Sequence, residues 1–282
     1  MVRIFSDSTC DLSPELIRSL GVTIIPLHVL LGDKEHLDGV DISPDALFAW
    51  ADQNRTTPKT SAVSVAEAMS AFRPELKAGN DILCFSISGK LSGTYQNMCM
   101  AVEELNAVGR IRIIDSQNLS TGIGLLVARA AELASQGLEL QPLASAINAL
   151  IPKVRSSFVV DTLTYLHRGG RCSSVTALAG SALRIHPRIA VTCGEMGVTQ
   201  KYRGKMSKVI VDYTDDLLAD LTHADPARVF ITHTGFDQDL LDKLHDKLAS
   251  LQHFREIHIM RAGSVISSHC GPGTLGILYI AE

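Results

Sequence analysis

The alternation of strand-like and helix-like segments in the first half of the chain is the feature that most restricts its fold. The segment DILCFSI, residues 81–87, is almost entirely apolar, as is typical of a strand buried on both faces of a parallel sheet. Helix starts recur around it, as Ser-Pro-acid sequences at Ser13 and Ser43 and as a capping box between Ser64 and Glu67. The alternation predicts an α/β fold in which helices cover both faces of a parallel sheet.

The alternation changes near residues 152–157, which predicts a second domain. Beyond this point strand candidates predominate, and the amphipathic helix DQDLLDKLHDKLASL lies among them. The strand candidates are FVV, RIAVTC, RVFITHT, EIHIMRA, SVISSH and LGILYI. We therefore predict an N-terminal α/β domain over residues 1–155 and a smaller α/β domain over residues 156–282, each large enough for its own core.

Composition excludes several classes of protein. A net charge of −4 does not favour nucleic acid binding, and no apolar run approaches the roughly 18 residues of a membrane span, so no stable membrane insertion is expected. The first residues, MVRIFSDSTCDL, do not resemble a signal peptide. The six cysteines form no CxxC pair and the ten histidines form no HxxxH pair. We expect a cytoplasmic protein with free thiols, no metal site and no cofactor.

Two polar stretches in the first half favour binding of an anion. Ser92, Gly93 and Thr94 stand where a helix begins, so that hydroxyls and free backbone N–H groups converge beside the positive end of the helix dipole. The alternative is that Ser92 only caps the helix. Thr60 and Ser61 are ambiguous in the same way, although Ser64 is the better helix cap, which leaves the two earlier hydroxyls without a local role.

Other polar residues allow more than one interpretation. Asp7 and Asp11 could form a carboxylate pair for acid–base chemistry, but it is more typical for Asp7 to bind loop amides and for Asp11 or Ser13 to cap the next helix. The segment HRGGR, which ends at Arg171, is either a solvated turn or a contact for phosphate or an acidic partner. These patterns alone do not decide between the alternatives.

His269 lies in the stretch VISSHCGPGTLGILY, which we interpret as a strand, a tight turn and a second strand. A catalytic pair with Cys270 is disfavoured, because adjacent residues of a strand point to opposite faces. A role for His269 as a metal ligand is disfavoured, because the sequence offers no partner ligands for it. The plainest alternative is that His269 is a core histidine hydrogen-bonded to the backbone. As a hydrogen-bond donor to an anion, His269 would give each half of the chain one anion-binding element. The sequence then favours a ligand held between the two domains.

These motifs together resemble those of the DegV family of bacterial fatty-acid-binding proteins along nearly the whole chain. In order, they are DSTCDL after the first strand, TS..S at residues 60–64, LSGTY at 91–95, IIDS at 113–116, YLHRGGR at 165–171, HP at 186–187 and HCGPGTLGI at 269–277. Each motif is short, but the set in this order is specific. The chain departs from the common family pattern at Ala62, Val63, Gly89 and Cys172.

The resemblance implies a two-domain α/β protein that holds one long-chain fatty acid, such as palmitate, in a tunnel between its domains. It implies carboxylate contacts from Thr60 or Ser61 and from Ser92, with His269 near the same head group. It also implies a separate ATP-dependent fatty acid kinase that phosphorylates the bound acid, and Arg171 matches the arginine associated with the kinase or the phosphoryl group. This protein would then not be an enzyme itself. The alternatives are a lipid-responsive regulator without a kinase, and a small-molecule hydrolase that uses Asp7, Asp11 or Cys270.

Overall fold

The computed structural model describes residues 1–173 and 185–282, and its first sheet is fully parallel. The strands of this sheet, in spatial order, are β2 (Thr23–Ile25), β1 (Val2–Asp7), β6 (Asp81–Ser86) and β7 (Ile111–Asp115). The near-continuous apolar run of β6 is explained by its position inside the sheet, because Leu83 and Phe85 belong to one core cluster while Ile82 and Cys84 belong to another. The predicted parallel sheet is confirmed.

Helices cover both faces of this sheet. One face carries α1 (Pro14–Leu20), α5 (Thr121–Ser135) and α6 (Leu140–Leu150). The other face carries α2 (Pro44–Asn54), α3 (Val65–Lys77) and α4 (Thr94–Glu104).

The predicted helix starts are present. Ser13 and Ser43 accept hydrogen bonds from the backbone three residues on, and Ser64 and Glu67 form the complete capping box of α3.

A small antiparallel sheet was not predicted. It consists of β4 (Lys34–Leu37), β3 (His28–Leu31) and β5 (Lys59–Ser61), in that order. The three strands are only three or four residues long, which is too short for the alternation of polar and apolar residues to be recognised. The sheet matters for function because β5 carries Thr60 and Ser61.

The described residues of the second half form a mixed sheet of six strands. In spatial order they are β10 (Glu195–Arg203), β9 (Ile185–Thr192), β8 (Val154–Val159), β13 (Leu275–Ala281), β11 (Ala224–His233) and β12 (Glu256–Arg261). Among the strands that the structure describes here, only β11 and β12 pair in parallel, and the other neighbouring strands are antiparallel. Helices α8 (Met206–Leu221) and α9 (Gln238–Ala249) pack against one face.

Helix α5 lies between the two sheets and joins their cores. Ile123 and Leu126 of α5 share one cluster with Phe85 of the first sheet and with Phe158 and Leu278 of the second. The α/β class and the layered architecture are as predicted. The division after residue 155 stays a prediction, because this one core cluster extends across both sheets.

Two segments of the second half are helical where the sequence had predicted otherwise. The run that contains Val265 and His269, predicted as a strand, is the short helix α10 (Ser264–Cys270), and the predicted turn before Arg171 contains α7 (Thr164–Gly169). The strand prediction was wrong because the groups that accept hydrogen bonds from the first amides of α10 lie more than 220 residues away in sequence. Sequence-local signals therefore could not indicate this helix.

Among residues 1–173 and 185–282, no helix is both long enough and apolar enough to cross a bilayer. Within the same residues, His, Cys, Asp and Glu side chains form no group of three that could hold a metal ion.

Candidate functional site

A cavity opens between the two halves of the molecule, and most of the predicted site residues line it. The space within it is about 630 Å³, which includes the solvent at its open mouth. We call it the outer cavity. Its predicted lining residues are Thr60, Ser61, Ser92, Gly93, Arg171 and His269, and its further lining residues are Leu27, Ala62, Ile87, Leu91, Leu119, Met196, Val265, Ile266 and Cys270.

Helix α10 forms one wall of the outer cavity. Val265, Ile266, His269 and Cys270 line it, a spacing that places all four on one side of a helix. The argument that His269 and Cys270 point to opposite faces of a strand is therefore wrong, since both face the cavity.

His269 is joined to the residue at the centre of β5. Its Nε2 atom lies 2.8 Å from the hydroxyl of Thr60, a contact between residues 209 positions apart. On the other side of the ring, Gly169 packs so closely that a Cβ there would lie 2.5 Å from Nδ1 of His269. The residue types at both positions therefore fix the orientation of the imidazole.

The imidazole of His269 is neutral near pH 7. Burial, with a smaller effect from the charge of Arg171, lowers its pKa to about 4. A neutral imidazole carries one N–H, and Nδ1 is buried without a hydrogen-bond partner among the described residues. Since an orphaned lone pair costs less than an orphaned N–H, we assign the proton to Nε2, which then donates to Thr60.

Ser92 also lines the outer cavity, where it presents a hydroxyl at the start of α4. Its Oγ accepts the backbone N–H of Thr94 at 3.2 Å and lies 3.0 Å from the Thr94 hydroxyl. Thr94 is fully buried and does not line the outer cavity. When both groups of Thr94 donate to Ser92, the hydroxyl proton of Ser92 is left to donate into the cavity.

Arg171 lies at the exposed rim of the outer cavity. Its Nη1 donates to the carbonyl of Gly169 at 2.6 Å and its Nε to that of Leu91 at 3.4 Å, so that the side chain lies between α7 and the loop before α4. Gly170 ends α7 in the left-handed conformation, with φ of 66°, which turns the chain toward this rim. These contacts place Arg171 at the rim, and a role in binding phosphate or an acidic partner stays a prediction.

A second, smaller cavity adjoins the outer cavity toward the second sheet. We call it the inner chamber; it encloses about 320 Å³ and shares Leu119, Ile266 and Cys270 with the outer cavity. Strand β8 supplies Phe158 to its wall and β13 supplies Leu278. No sequence pattern indicated this chamber, because its wall combines β8, β11, β13 and α10.

The residues of the alternative hydrolase site have structural roles. Asp7 does not line the outer cavity and binds loop amides as predicted, since it accepts the N–H groups of Thr9 at 3.0 Å and Ile87 at 2.7 Å. Burial raises the pKa of Asp7 to about 6 and that of the Cys270 thiol to about 12, so Cys270 is not a thiolate near pH 7.

Asp11 does not cap the helix that follows it, a role that Ser13 fills. Its carboxylate instead accepts the hydroxyl of Ser120 at 2.6 Å and the N–H of Gly263 at 2.8 Å.

The model of the DegV family, described as an uncharacterised protein family, matches residues 1–282. The chain belongs to the DegV family. It is 32% identical over 277 residues to a DegV domain-containing protein of Deinococcus radiodurans, covering 98% of this chain and 97% of the relative. Another DegV domain-containing protein, from Caldanaerobacter subterraneus, is 30% identical over 280 residues, covering 99% and 98%.

Solved DegV structures share the whole fold. A DegV family protein from Thermus thermophilus, described as fatty acid binding, superposes with a TM-score of 0.91 at 31% identity and covers 100% of this chain and 99% of that one. A stearic-acid-binding protein from Eubacterium ventriosum superposes with a TM-score of 0.84 at 28% identity, covering 100% and 98%. DegV proteins similar to this chain therefore bind fatty acids.

Proposed function

We propose that this protein binds one long-chain fatty acid, with the carboxylate in the outer cavity and the tail directed into the inner chamber. The observation that carries the proposal is the hydrogen bond between Thr60 and His269 in the wall of a cavity that Ser92 also lines. The fatty-acid-binding descriptions of the Thermus and Eubacterium relatives support the same ligand class.

The head group would be held by neutral donors. Nε2–H of His269 donates to Thr60, so the Thr60 hydroxyl is free to donate its proton to a carboxylate oxygen. Ser92 would donate to the other oxygen, and Ser61, Gly93 and the first turn of α4 complete the polar surroundings. A carboxylate that leaves water needs such bonds, since an unpaired buried charge costs several kcal/mol.

The tail would supply most of the affinity. At about 0.8 kcal/mol per buried CH₂, about 14 methylenes contribute on the order of 11 kcal/mol. Association and ordering consume an estimated 4–15 kcal/mol, so that head-group contacts determine orientation while the tail determines strength. The inner chamber, which shares Leu119 and Ile266 with the outer cavity, would provide the additional length.

We further propose that the protein presents the bound carboxylate to a separate ATP-dependent fatty acid kinase in the cytoplasm. Arg171 supports this proposal because it is exposed at the rim of the cavity, where a guanidinium suits a phosphoryl group or an acidic partner. This protein would contribute positioning and no catalytic group of its own.

Extraction of the purified protein with organic solvent, followed by mass spectrometry, tests the binding. We expect about one long-chain fatty acid per chain. The variant Ile266→Glu, which places a carboxylate between the two cavities, should purify without acid. Val211→Glu, at an exposed position of α8, is the matched control and should retain it.

A wild-type protein that carries no fatty acid and binds none when palmitate is added would contradict the proposed ligand. The kinase hand-over is tested separately, by ATP consumption when acid-loaded protein is mixed with a fatty acid kinase from the same organism. Binding without any ATP consumption would favour the lipid-responsive regulator.

A further inference from the structure

Asp11 and Asp38 are two buried carboxylates that line neither cavity and yet meet at one place. They are 5% and 3% exposed. Asp11 follows the 3₁₀ turn after β1, and Asp38 follows the β3–β4 hairpin, so they come from separate parts of the first half. Both reach the start of α10, which belongs to the second half of the sequence.

The contacts of the two carboxylates are direct. Asp11 Oδ1 accepts the backbone N–H of Gly263 at 2.8 Å, and Asp38 Oδ1 accepts that of Ser264 at 2.7 Å. A Cβ at Gly263 would lie 3.0 Å from the first of these oxygens and 3.1 Å from the second, so a side chain there would crowd both carboxylates. The other oxygen of Asp11 accepts the Ser120 hydroxyl at the start of α5.

The length of α10 makes these contacts important for the outer cavity. With seven residues, α10 has fewer than two full turns, and a helix so short is not stable without external contacts. His269 lies six residues after Gly263, which corresponds to about 9 Å along the axis. A tilt at the first residue of α10 is therefore transmitted to the imidazole and to its contact with Thr60.

Two buried carboxylates are a costly way to satisfy two amides. Burial raises the pKa of both Asp11 and Asp38, and their mutual repulsion raises that of Asp11 further. A carboxyl oxygen nevertheless accepts a backbone N–H, and two such acceptors from separate parts of the first half hold two successive amides of the chain.

We propose that Asp11 and Asp38 are positioning residues, which hold α10 so that His269 and Thr60 are aligned for the carboxylate of the ligand. This inference rests on the proposed function, because it assigns the two residues to the same head-group site. They touch no ligand atom themselves. Their effect is on discrimination between a carboxylate and another head group, and not on binding of the tail.

The test compares head-group selectivity in three full-length variants. Selectivity is the ratio of affinities for palmitate and for the alcohol of the same length, measured by titration at a temperature where each variant is folded. Asp38→Ala removes the acceptor of Ser264, whereas Asp38→Asn retains an oxygen there. Ser13→Ala removes a similar cap from α1, which does not line the outer cavity, and is the matched control for a general loss of stability.

We expect selectivity to fall about tenfold in Asp38→Ala, with most of the loss on palmitate. It should stay within about twofold of wild type in Asp38→Asn and in Ser13→Ala. If Asp38→Ala does not fold, Asp11→Ala, which frees Gly263 and leaves the contact to Ser264, is measured in its place with the same expectation.

Unchanged selectivity in the alanine variant would overturn the inference and leave the proposed function intact. An equal loss in Ser13→Ala would also overturn it, because the effect would then follow stability and not the position of α10. A wild-type protein that binds neither palmitate nor the alcohol would instead contradict the proposed function itself.

Discussion

The outer cavity and the inner chamber each contain a histidine that burial makes neutral, yet only one of the two is suited to a head group. The pKa values of His269 in the outer cavity and His233 in the inner chamber are both lowered to about 4, by burial and by a nearby arginine. His269 faces the hydroxyl of Thr60, whereas Nδ1 of His233 has no hydrogen-bond partner within residues 1–173 and 185–282. A neutral buried histidine is thus not a ligand site in itself. The outer cavity differs because the hydroxyl of Thr60 lies beside its histidine and can donate a proton to a ligand.

The first way to test this comparison is the acid dependence of stability. Between pH 6.5 and about 4, the unfolded chain takes up a proton on His269 that the folded chain does not, so the free energy of unfolding falls as pH falls. We expect the free energy of unfolding of His269→Gln to fall by up to about 3 kcal/mol less than that of wild type. Urea unfolding of lipid-free protein at pH 7 and pH 4.5 measures it.

His233→Gln should also make the free energy of unfolding fall less between pH 7 and pH 4.5. His245→Gln, on the surface of α9, is the control. Asp7, with a pKa raised to about 6, acts in the opposite sense, since the folded chain takes up its proton first as pH falls. Only differences between each variant and wild type are therefore informative. If the free energy of unfolding fell equally in His269→Gln and in wild type, His269 would be charged in the folded protein. The donation from its Nε2–H to Thr60 would then be wrongly assigned.

The second prediction concerns the inner chamber. Ala262 is 2% exposed and lines the chamber, so Ala262→Leu fills space that the end of the tail would occupy. Exclusion of about two methylenes, at about 0.8 kcal/mol each, should weaken binding of an 18-carbon acid about fifteenfold and leave a 12-carbon acid unaffected. The ratio of the two affinities measures this and cancels any general loss of stability. An unchanged ratio would show that the tail does not enter the chamber.

The third prediction concerns the outer cavity. Thr60→Val retains the shape of the side chain but loses the hydroxyl, and we expect palmitate to bind about tenfold more weakly. The alcohol of the same length should bind nearly as before, and Thr60→Ser should restore palmitate binding. Isothermal titration with both ligands separates these effects. If palmitate and the alcohol weakened equally, Thr60 would contact the tail and not the carboxylate.

The sequence predicted the outer cavity far better than the inner chamber, for a physical reason. Ser92 lies next to a helix start, and Thr60 and Ser61 precede one, so local rules of capping and strand ends drew attention to them. The apolar wall of the chamber carries no such signal, since Phe158 and Leu278 have the pattern of ordinary core residues.

The segment around His269 is where the local rules failed. Val265 and Ile266 favour a strand, and the helix that they form begins at amides held by Asp11 and Asp38. No sequence signal singled out Asp38, because an Asp-Gly pair such as the one in HLDGVD is typical of a turn. Tertiary contacts between the two halves determined this helix, and those cannot be inferred from neighbours along the chain.

The smallest effect on lipid binding is expected for Arg171→Ala. Arg171 is exposed, and two of its donors already bind the carbonyls of Gly169 and Leu91, so its attraction for the ligand is screened by water. Occupancy by fatty acid should change by less than about twofold, whereas ATP consumption with the kinase should fall clearly. Arg168→Ala, an exposed neighbour on α7 that does not line the outer cavity, is the matched control for both measurements.

Arg171 also tests whether the rim and the head-group site are separate. Removal of its charge should raise the pKa of His269, because that charge disfavours the imidazolium. If the roles are separate, this rise leaves fatty acid occupancy unchanged, since burial alone keeps the imidazole neutral near pH 7. An Arg171→Ala protein that purifies without fatty acid would instead make Arg171 the counter-ion of the carboxylate, and the rim would then be part of the head-group site.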